Sequence, residues 1–212
     1  MTEVQTVFLV DDDQGMRDSL TLILELAGYP VRSFPTPADF LAAFSSDERG
    51  CLVLDQRMPD MTGLDLQSEL LERGALLPII FLSAFGDVPT TVRAIQGGAI
   101  DFLEKPASTE RLLQRIADAF AEDRRRREEA ATEHDILERF RQLTPREHEV
   151  LTLTTRGLTN KDIARQLGIS PRTVENHRAR MMEKMGAGNL AELCRMSTVC
   201  QASATRLNGS GT

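Results

Sequence analysis

The chain has 212 residues, enough for one large domain or two small ones, and its 41% hydrophobic and 27% charged residues exclude wholesale disorder and a fibre. No apolar run reaches the ~18–20 residues of a membrane-spanning helix, and Cys51, Cys194 and Cys200 do not stand at metal-site spacing. The net charge of -7 divides into -10 over residues 1–121, -1 over 122–141 and +4 over 142–212, so an acidic body carries a basic end suited to a polyanion.

Residues 4–10 read as a short strand closed by Asp11-Asp12-Asp13. Residues 14–27 place Met16, Leu20, Ile23, Leu24 and Ala27 at helical spacing, and Gly28 ends the run. Residues 31–34 are extended, and a helix over 38–44 follows Thr36-Pro37. A buried strand at 51–54 ends on Asp55, and a helix over 63–73 is capped by Gly74. A strand at 78–82, a helix at 88–96 closed by Gly97-Gly98, and a strand at 100–103 complete the alternation. Ser108 then caps a helix beginning at Thr109. Five strand–helix units with short apolar strands predict an α/β fold: a doubly wound five-stranded parallel sheet, flavodoxin-like, over residues 1–121.

Residues 122–141 lack Pro and Gly and mix charges of both signs, which predicts a solvated helical linker extending the fifth helix. Residues 142–201 read as four short helices, an all-α domain. The helix from Pro145 ends at Gly157, and a short one over 160–167 ends at Gly168. Ser170-Pro171 opens another that runs to about Met185. The two helices around Gly168 form a helix-turn-helix. On the second, Val174, His177, Met181 and Met185 make the inward stripe, leaving Arg172, Glu175, Asn176, Ala179, Arg180 and Glu183 for a groove. Residues 202–212 are small and polar and are expected to be disordered.

In parallel sheets, functional groups gather beyond the carboxyl ends of the strands. Those positions hold Asp11 and Asp12, Asp55, Ser83 and Lys105. Clustered carboxylates need a cation, and oxygen-only ligands suit Mg²⁺. A carboxylate can act as a nucleophile toward phosphorus, with the ammonium and the hydroxyl receiving the phosphoryl oxygens. Singly, the same residues have plainer readings. Asp11 to Asp13 fit a turn and a helix cap, Asp55 a loop acid, and Lys105-Pro106 a turn. The signal lies in their joint placement at four strand ends.

The segments VFLVDDD, CLVLDQRMPDMTGLDL, PIIFLSAFGD and GGAIDFLEKP resemble the receiver domain of two-component response regulators, in order, over residues 1 to about 122. The resemblance implies phosphorylation of Asp55 and Mg²⁺ held by Asp11, Asp12, Asp55 and the backbone carbonyl of Arg57. It also implies switch roles for Ser83 and Phe102, phosphate pairing by Lys105, and a cis bond before Pro106. Phe102 lacks the hydroxyl of the Tyr common in the family. The segment LTPREHEVLTLTTRGLTNKDIARQLGISPRTVENHRARMMEKMGAGNLAEL resembles the LuxR-type helix-turn-helix, which places the chain with the NarL/FixJ subfamily. By that resemblance Glu175, Asn176 and Ala179 face bases, while Asn160, Lys161, Arg172, Thr173, Arg178, Arg180 and Lys184 are phosphate or flank candidates. Relatives in the FixJ-type branch often carry an apolar residue where Asn176 stands, and Asn can pair bidentately with adenine.

His134, His148 and His177 are scattered over unrelated helices, so the phosphorus-donating histidine belongs to a partner. The resemblance implies a cognate sensor histidine kinase, a homodimer formed on phosphorylation, double-stranded promoter DNA, and RNA polymerase at activated promoters. The opening MTEVQTVFLVDDD lacks the basic start and small-residue cleavage site of a signal peptide. A cytoplasmic regulator with free thiols, no membrane partner and no enzymatic turnover is expected. Two rival classes stay open: an enzyme hydrolysing an external phosphoester, and a tail domain that captures a protein rather than DNA.

Overall fold

Runs such as CLVLD and IIFLS offer no polar face to water, and they form the interior strands of a parallel sheet. The computed structural model describes residues 4–84 and 87–209. Strands β1 (Thr6–Val10), β2 (Val31–Phe34), β3 (Gly50–Asp55), β4 (Ile79–Ser83) and β5 (Asp101–Glu104) lie in the order β2-β1-β3-β4-β5, all parallel. With them alternate α1 (Gln14–Leu26), α2 (Pro37–Ala43), α3 (Gly63–Glu72), α4 (Val88–Gln96) and α5 (Thr109–Arg141). This is the doubly wound flavodoxin-like sheet expected from the sequence, with strand ends displaced by one or two residues.

Alternation along the strands decides which helix covers which face. Phe8, Val10, Leu52, Leu54, Ile79 and Phe81 point to one side, against Phe40 of α2, Leu64, Leu66 and Leu70 of α3, and Ala94 of α4. Val7, Leu9, Cys51, Val53, Ile80, Leu82 and Leu103 point to the other, against Leu20 and Leu24 of α1 and Leu112, Ile116 and Ala119 of α5.

The residues up to Arg127 form one compact unit and those from Glu128 a second. The expected linker helix therefore divides. Residues 122–127 belong to the sheet unit, and they are not simply solvated. Asp123 is fully buried and accepts from Gln5 Nε2 at 3.1 Å, the Gly50 N–H at 3.2 Å and Arg127 Nε at 2.8 Å. Arg126 donates to the Leu76 and Gly98 carbonyls, and Arg127 to those of Ser46 and Glu48. The run of arginines satisfies loop carbonyls at the amino ends of the strands, a use that mixed charge alone does not announce.

The second unit packs Ile136 of α5 with α6 (Pro145–Thr155), α7 (Asn160–Leu167), α8 (Pro171–Met185) and α9 (Leu190–Gly209). Val150, Leu151, Ile163, Val174, Met181, Met185 and Leu193 form its core. Of the expected inward stripe on α8, Val174, Met181 and Met185 are buried and His177 is half-buried. Gly168 closes α7 at φ 66°, a left-handed turn that a side chain would strain, and Ser170 caps α8 through the Thr173 N–H. The disorder expected for 202–212 is corrected for 202–209, which continue α9; residues 210–212 lie outside the described residues. Cys200 and Leu193 anchor that helix in the core, so small polar residues follow it as further turns. Among the described residues no helix is long and apolar enough to cross a membrane. Cys51, Cys194 and Cys200 are free thiols.

Candidate phosphoacceptor site and nucleic-acid interface

Register brings the strand ends to one edge of the sheet. Val10 pairs with Leu54, Asp55 with Leu82, and Ser83 with Glu104, so the residues that follow β1, β3 and β5 emerge together. Lys105 Nζ donates to Asp11 Oδ2 and to Asp55 Oδ1, each at 2.6 Å. The Lys105 N–H meets the Ser83 carbonyl at 2.8 Å, and the Lys105–Pro106 bond is cis, as the resemblance implied.

Each acid is held in place. Asp11, 2% exposed, accepts the Asp13 N–H at 2.9 Å, while Arg17 binds its carbonyl at 2.8 Å. Asp55 Oδ2 accepts the Arg57 N–H at 2.8 Å, which fixes the Arg57 backbone beside the site. Asp13 caps α1 through the Met16 N–H at 2.9 Å. Both readings of the Asp11-Asp12-Asp13 run therefore apply, each to a different residue. Asp12 lies exposed, and among the described residues no group of three or more His, Cys, Asp or Glu side chains is placed to hold a metal ion. Asp11 and Asp55 converge; Asp12 adjoins them along the chain without joining the cluster.

Burial raises the Asp55 carboxyl above its usual range, against the Lys105 hydrogen bond and charge. Burial pulls the Lys105 ammonium down, but its hydrogen bonds to Asp11 and Asp55 and their charges outweigh this and hold it above its ordinary value. At neutral pH the lysine is thus a fixed cation between two acids. Ser83 is buried at the end of β4. Phe102 is half-buried, stacked on Phe81 with centroids 5.7 Å apart.

In the second unit, Arg172, Glu175, Asn176, Ala179 and Arg180 are exposed along α8, and Lys161 is exposed on α7. The other expected contacts are committed within the domain. Arg178 donates to Asn160 Oδ1, tying α8 to the start of α7, and the Thr173 hydroxyl pairs with Ser170. Lys184 donates to Glu147 Oε2 at 2.7 Å and to the Gln142 carbonyl at 3.2 Å. Sequence reasoning missed Glu147. The Thr144-Pro-Arg-Glu147 spacing signals its capping box with the Thr144 N–H, but nothing signals a partner 37 positions away.

Residues 7–117 match the model of the response regulator receiver domain, and residues 141–197 that of the luxR family of bacterial regulatory proteins. Nodulation protein W of Bradyrhizobium diazoefficiens is 43% identical over 206 residues, covering 96% of this chain and 91% of that protein. Transcriptional regulatory protein FixJ of the same organism is 40% identical over 197 residues, covering 93% and 96%. The solved structure of response regulator StyR shares 42% identity at a TM-score of 0.77, covering 92% of this chain and 98% of that one. Two family models matched in series, with relatives alike over nearly their whole length, show that the chain belongs to the NarL/FixJ family of two-component response regulators, a receiver domain followed by a LuxR-type DNA-binding domain.

Proposed function

We propose that Asp55 takes a phosphoryl group from the histidine of a cognate sensor kinase, and that the phosphorylated chain dimerises and binds promoter DNA to activate transcription with RNA polymerase. The observation that carries this reading is the grip of Lys105 Nζ on Asp11 and Asp55, at 2.6 Å each. An Asp55 oxygen attacks phosphorus, the P–N bond of the kinase phosphohistidine breaks, and a P–O bond forms. The imidazole keeps the electron pair and takes up a proton. Lys105 then pairs with a phosphoryl oxygen, the Ser83 hydroxyl bonds another, and Phe102 moves inward behind it. FixJ is named as a transcriptional regulatory protein and StyR as a response regulator, and the reading is of a phosphate acceptor rather than an enzyme.

Receiver domains generally bind Mg²⁺ in this acidic pocket. The donors here fit it: two buried carboxylates that already share one cation, with Asp12 adjoining. Asp11, Asp55, Asp12 and the Arg57 carbonyl would hold the ion, which supplies positive charge to the phosphoryl oxygens when bound.

The partner for dimerisation is a second copy, through α4 and β5. Ala94 is the buried side chain of α4, whereas Val88, Val92 and Ile95 are 75%, 45% and 45% exposed and share one stripe. With a small phosphodonor and Mg²⁺, wild-type protein should become dimeric by analytical ultracentrifugation. Val92→Glu should take up phosphate equally and stay monomeric. Dimerisation of that variant at the wild-type concentration would place the interface elsewhere.

On DNA, phosphate contacts give affinity and base contacts give discrimination. Arg180→Ala should weaken binding to specific and scrambled duplexes alike and flatten the salt dependence by about one unit of slope. Asn176→Ala should cost about 1–3 kcal/mol at one base pair and leave non-specific binding nearly unchanged. Equal losses on both duplexes for Asn176→Ala would remove it from base reading.

A further inference from the structure

The far end of α8 is held more firmly than apolar packing alone requires. Lys184 crosses from α8 to the Glu147 carboxylate of α6 and to the Gln142 carbonyl just beyond α5. The Glu147 side chain is only 3% exposed, and the oxygen that meets Lys184 also accepts the Thr144 N–H at 2.8 Å. One residue further, the Met185 carbonyl accepts from the Arg139 guanidinium at 3.2 Å. That guanidinium fills the space a Cβ on Gly186 would need. The end of α5, the start of α6 and the end of α8 therefore meet in one polar junction.

A carboxylate this buried is costly unless paired, and its pairing has direction. Burial works to raise Glu147, but Lys184 and the Thr144 hydrogen bonds outweigh it and hold the carboxyl below its usual range. The apolar contacts beneath α8, at Val174, Met181 and Met185, tolerate small rotations and slips. Methionine in particular adapts its shape. A charged pair with fixed hydrogen-bond geometry does not, and base reading depends on placement to about half an ångström. Meanwhile Arg172, Glu175, Asn176, Ala179 and Arg180 stay exposed, uninvolved in this junction.

We propose that Lys184 is a positioning residue of DNA recognition: paired with Glu147 and bonded to Gln142, it sets the rotation of α8 so that its exposed face meets the base edges. This rests on the reading of α8 as the helix that enters the groove. It replaces the expectation that Lys184 contacts phosphate. The residue acts through the orientation of Asn176 and its neighbours, not by touching DNA.

The test uses full-length protein, a duplex selected in vitro on the wild type, and a scrambled duplex of equal length, each titrated at several salt concentrations. Thermal unfolding is followed in parallel, so that affinities refer to folded protein. Lys184→Met should lower the specific-to-scrambled affinity ratio at least tenfold, with the salt slope unchanged. Lys184→Arg, which keeps the charged hydrogen bond, should restore the ratio. Lys184→Met combined with Glu147→Gln removes the stranded charge and should recover thermal stability while the ratio stays low. A slope reduced by about one with the ratio intact would make Lys184 a phosphate contact and overturn the proposal. So would a ratio that returns together with stability in the double variant, since the pair would then serve stability alone. Arg180→Ala separates the underlying reading: if it alters neither slope nor affinity, α8 is not in the groove and the positioning role falls with it.

Discussion

Incubated with a small acyl-phosphate donor and Mg²⁺, wild-type protein should take up a phosphoryl group and Asp55→Asn protein should take up none. Asparagine keeps the size of the side chain and can still accept the Arg57 N–H, which now meets Asp55 Oδ2 at 2.8 Å. Lys105 keeps its second partner, Asp11. The local fold should therefore survive, and the loss is one of nucleophile. Asp11 is the rival acceptor, since it is as buried and lies equally close to Lys105. The two acids are held alike, Asp11 by the Asp13 N–H and Asp55 by the Arg57 N–H, so the substitution and not the geometry separates them. They differ in place: Asp11 lies ahead of the turn that starts α1. Asp55 stands at the end of β3, the middle strand of the sheet. Uptake is read by phosphate-affinity electrophoresis. Equal uptake by both proteins would move the acceptor away from Asp55.

The second large effect is on stability and lies far from the phosphoacceptor. Asp123→Ala should destabilise the receiver unit by about 3–5 kcal/mol, the scale for removing one partner of a buried ion pair. Three donors lose their acceptor at once: Arg127 Nε, Gln5 Nε2 and the Gly50 N–H. Gly50 has little freedom to seek another. Its φ is 139°, and the Thr6 carbonyl oxygen lies 1.8 Å from where a Cβ would stand, so the chain is held tightly there. Asp135→Ala is the control. Its ion pair with Arg139 is exposed on both sides, so its loss should cost less than about 1 kcal/mol. The chain has one tyrosine and no tryptophan, and Tyr29 packs edge-on against Phe120 within the receiver unit. Tyrosine fluorescence during urea unfolding therefore reports that unit alone. Coincident midpoints for wild type and Asp123→Ala would show that the buried carboxylate contributes nothing net.

Much of the site was legible because strand ends in a parallel sheet must converge, and the apolar runs mark where the strands end. Asp11, Asp55, Ser83 and Lys105 were locatable by that rule without any coordinates. Asp12 was not separable from Asp11 on the same grounds, since neighbours in a tripeptide share every sequence signal. Only the turn into α1 sends Asp11 inward to Lys105, gives Asp13 to the helix cap and leaves Asp12 in water.

The helical domain divides in the same way. Its boundaries follow from local chemistry, because Thr144, Thr159 and Ser170 cap through backbone groups three residues away, and Gly157, Gly168 and Gly186 take positive φ after their helices. Which cations remain for DNA does not follow. Arg180 and Lys184 look equivalent along α8, yet one is exposed and the other is bound to a buried glutamate. Asp123 and Asp135 look equivalent along α5, yet one is fully buried and the other open to water. By itself the sequence determined the elements, the order of the strands' chemistry and the family, because those rest on periodicity and on neighbours within a few residues. Tertiary structure alone decided which charged side chains serve the fold and which face a partner, because a charge acts on whatever lies within a few ångströms, and that is set by packing between residues tens of positions apart.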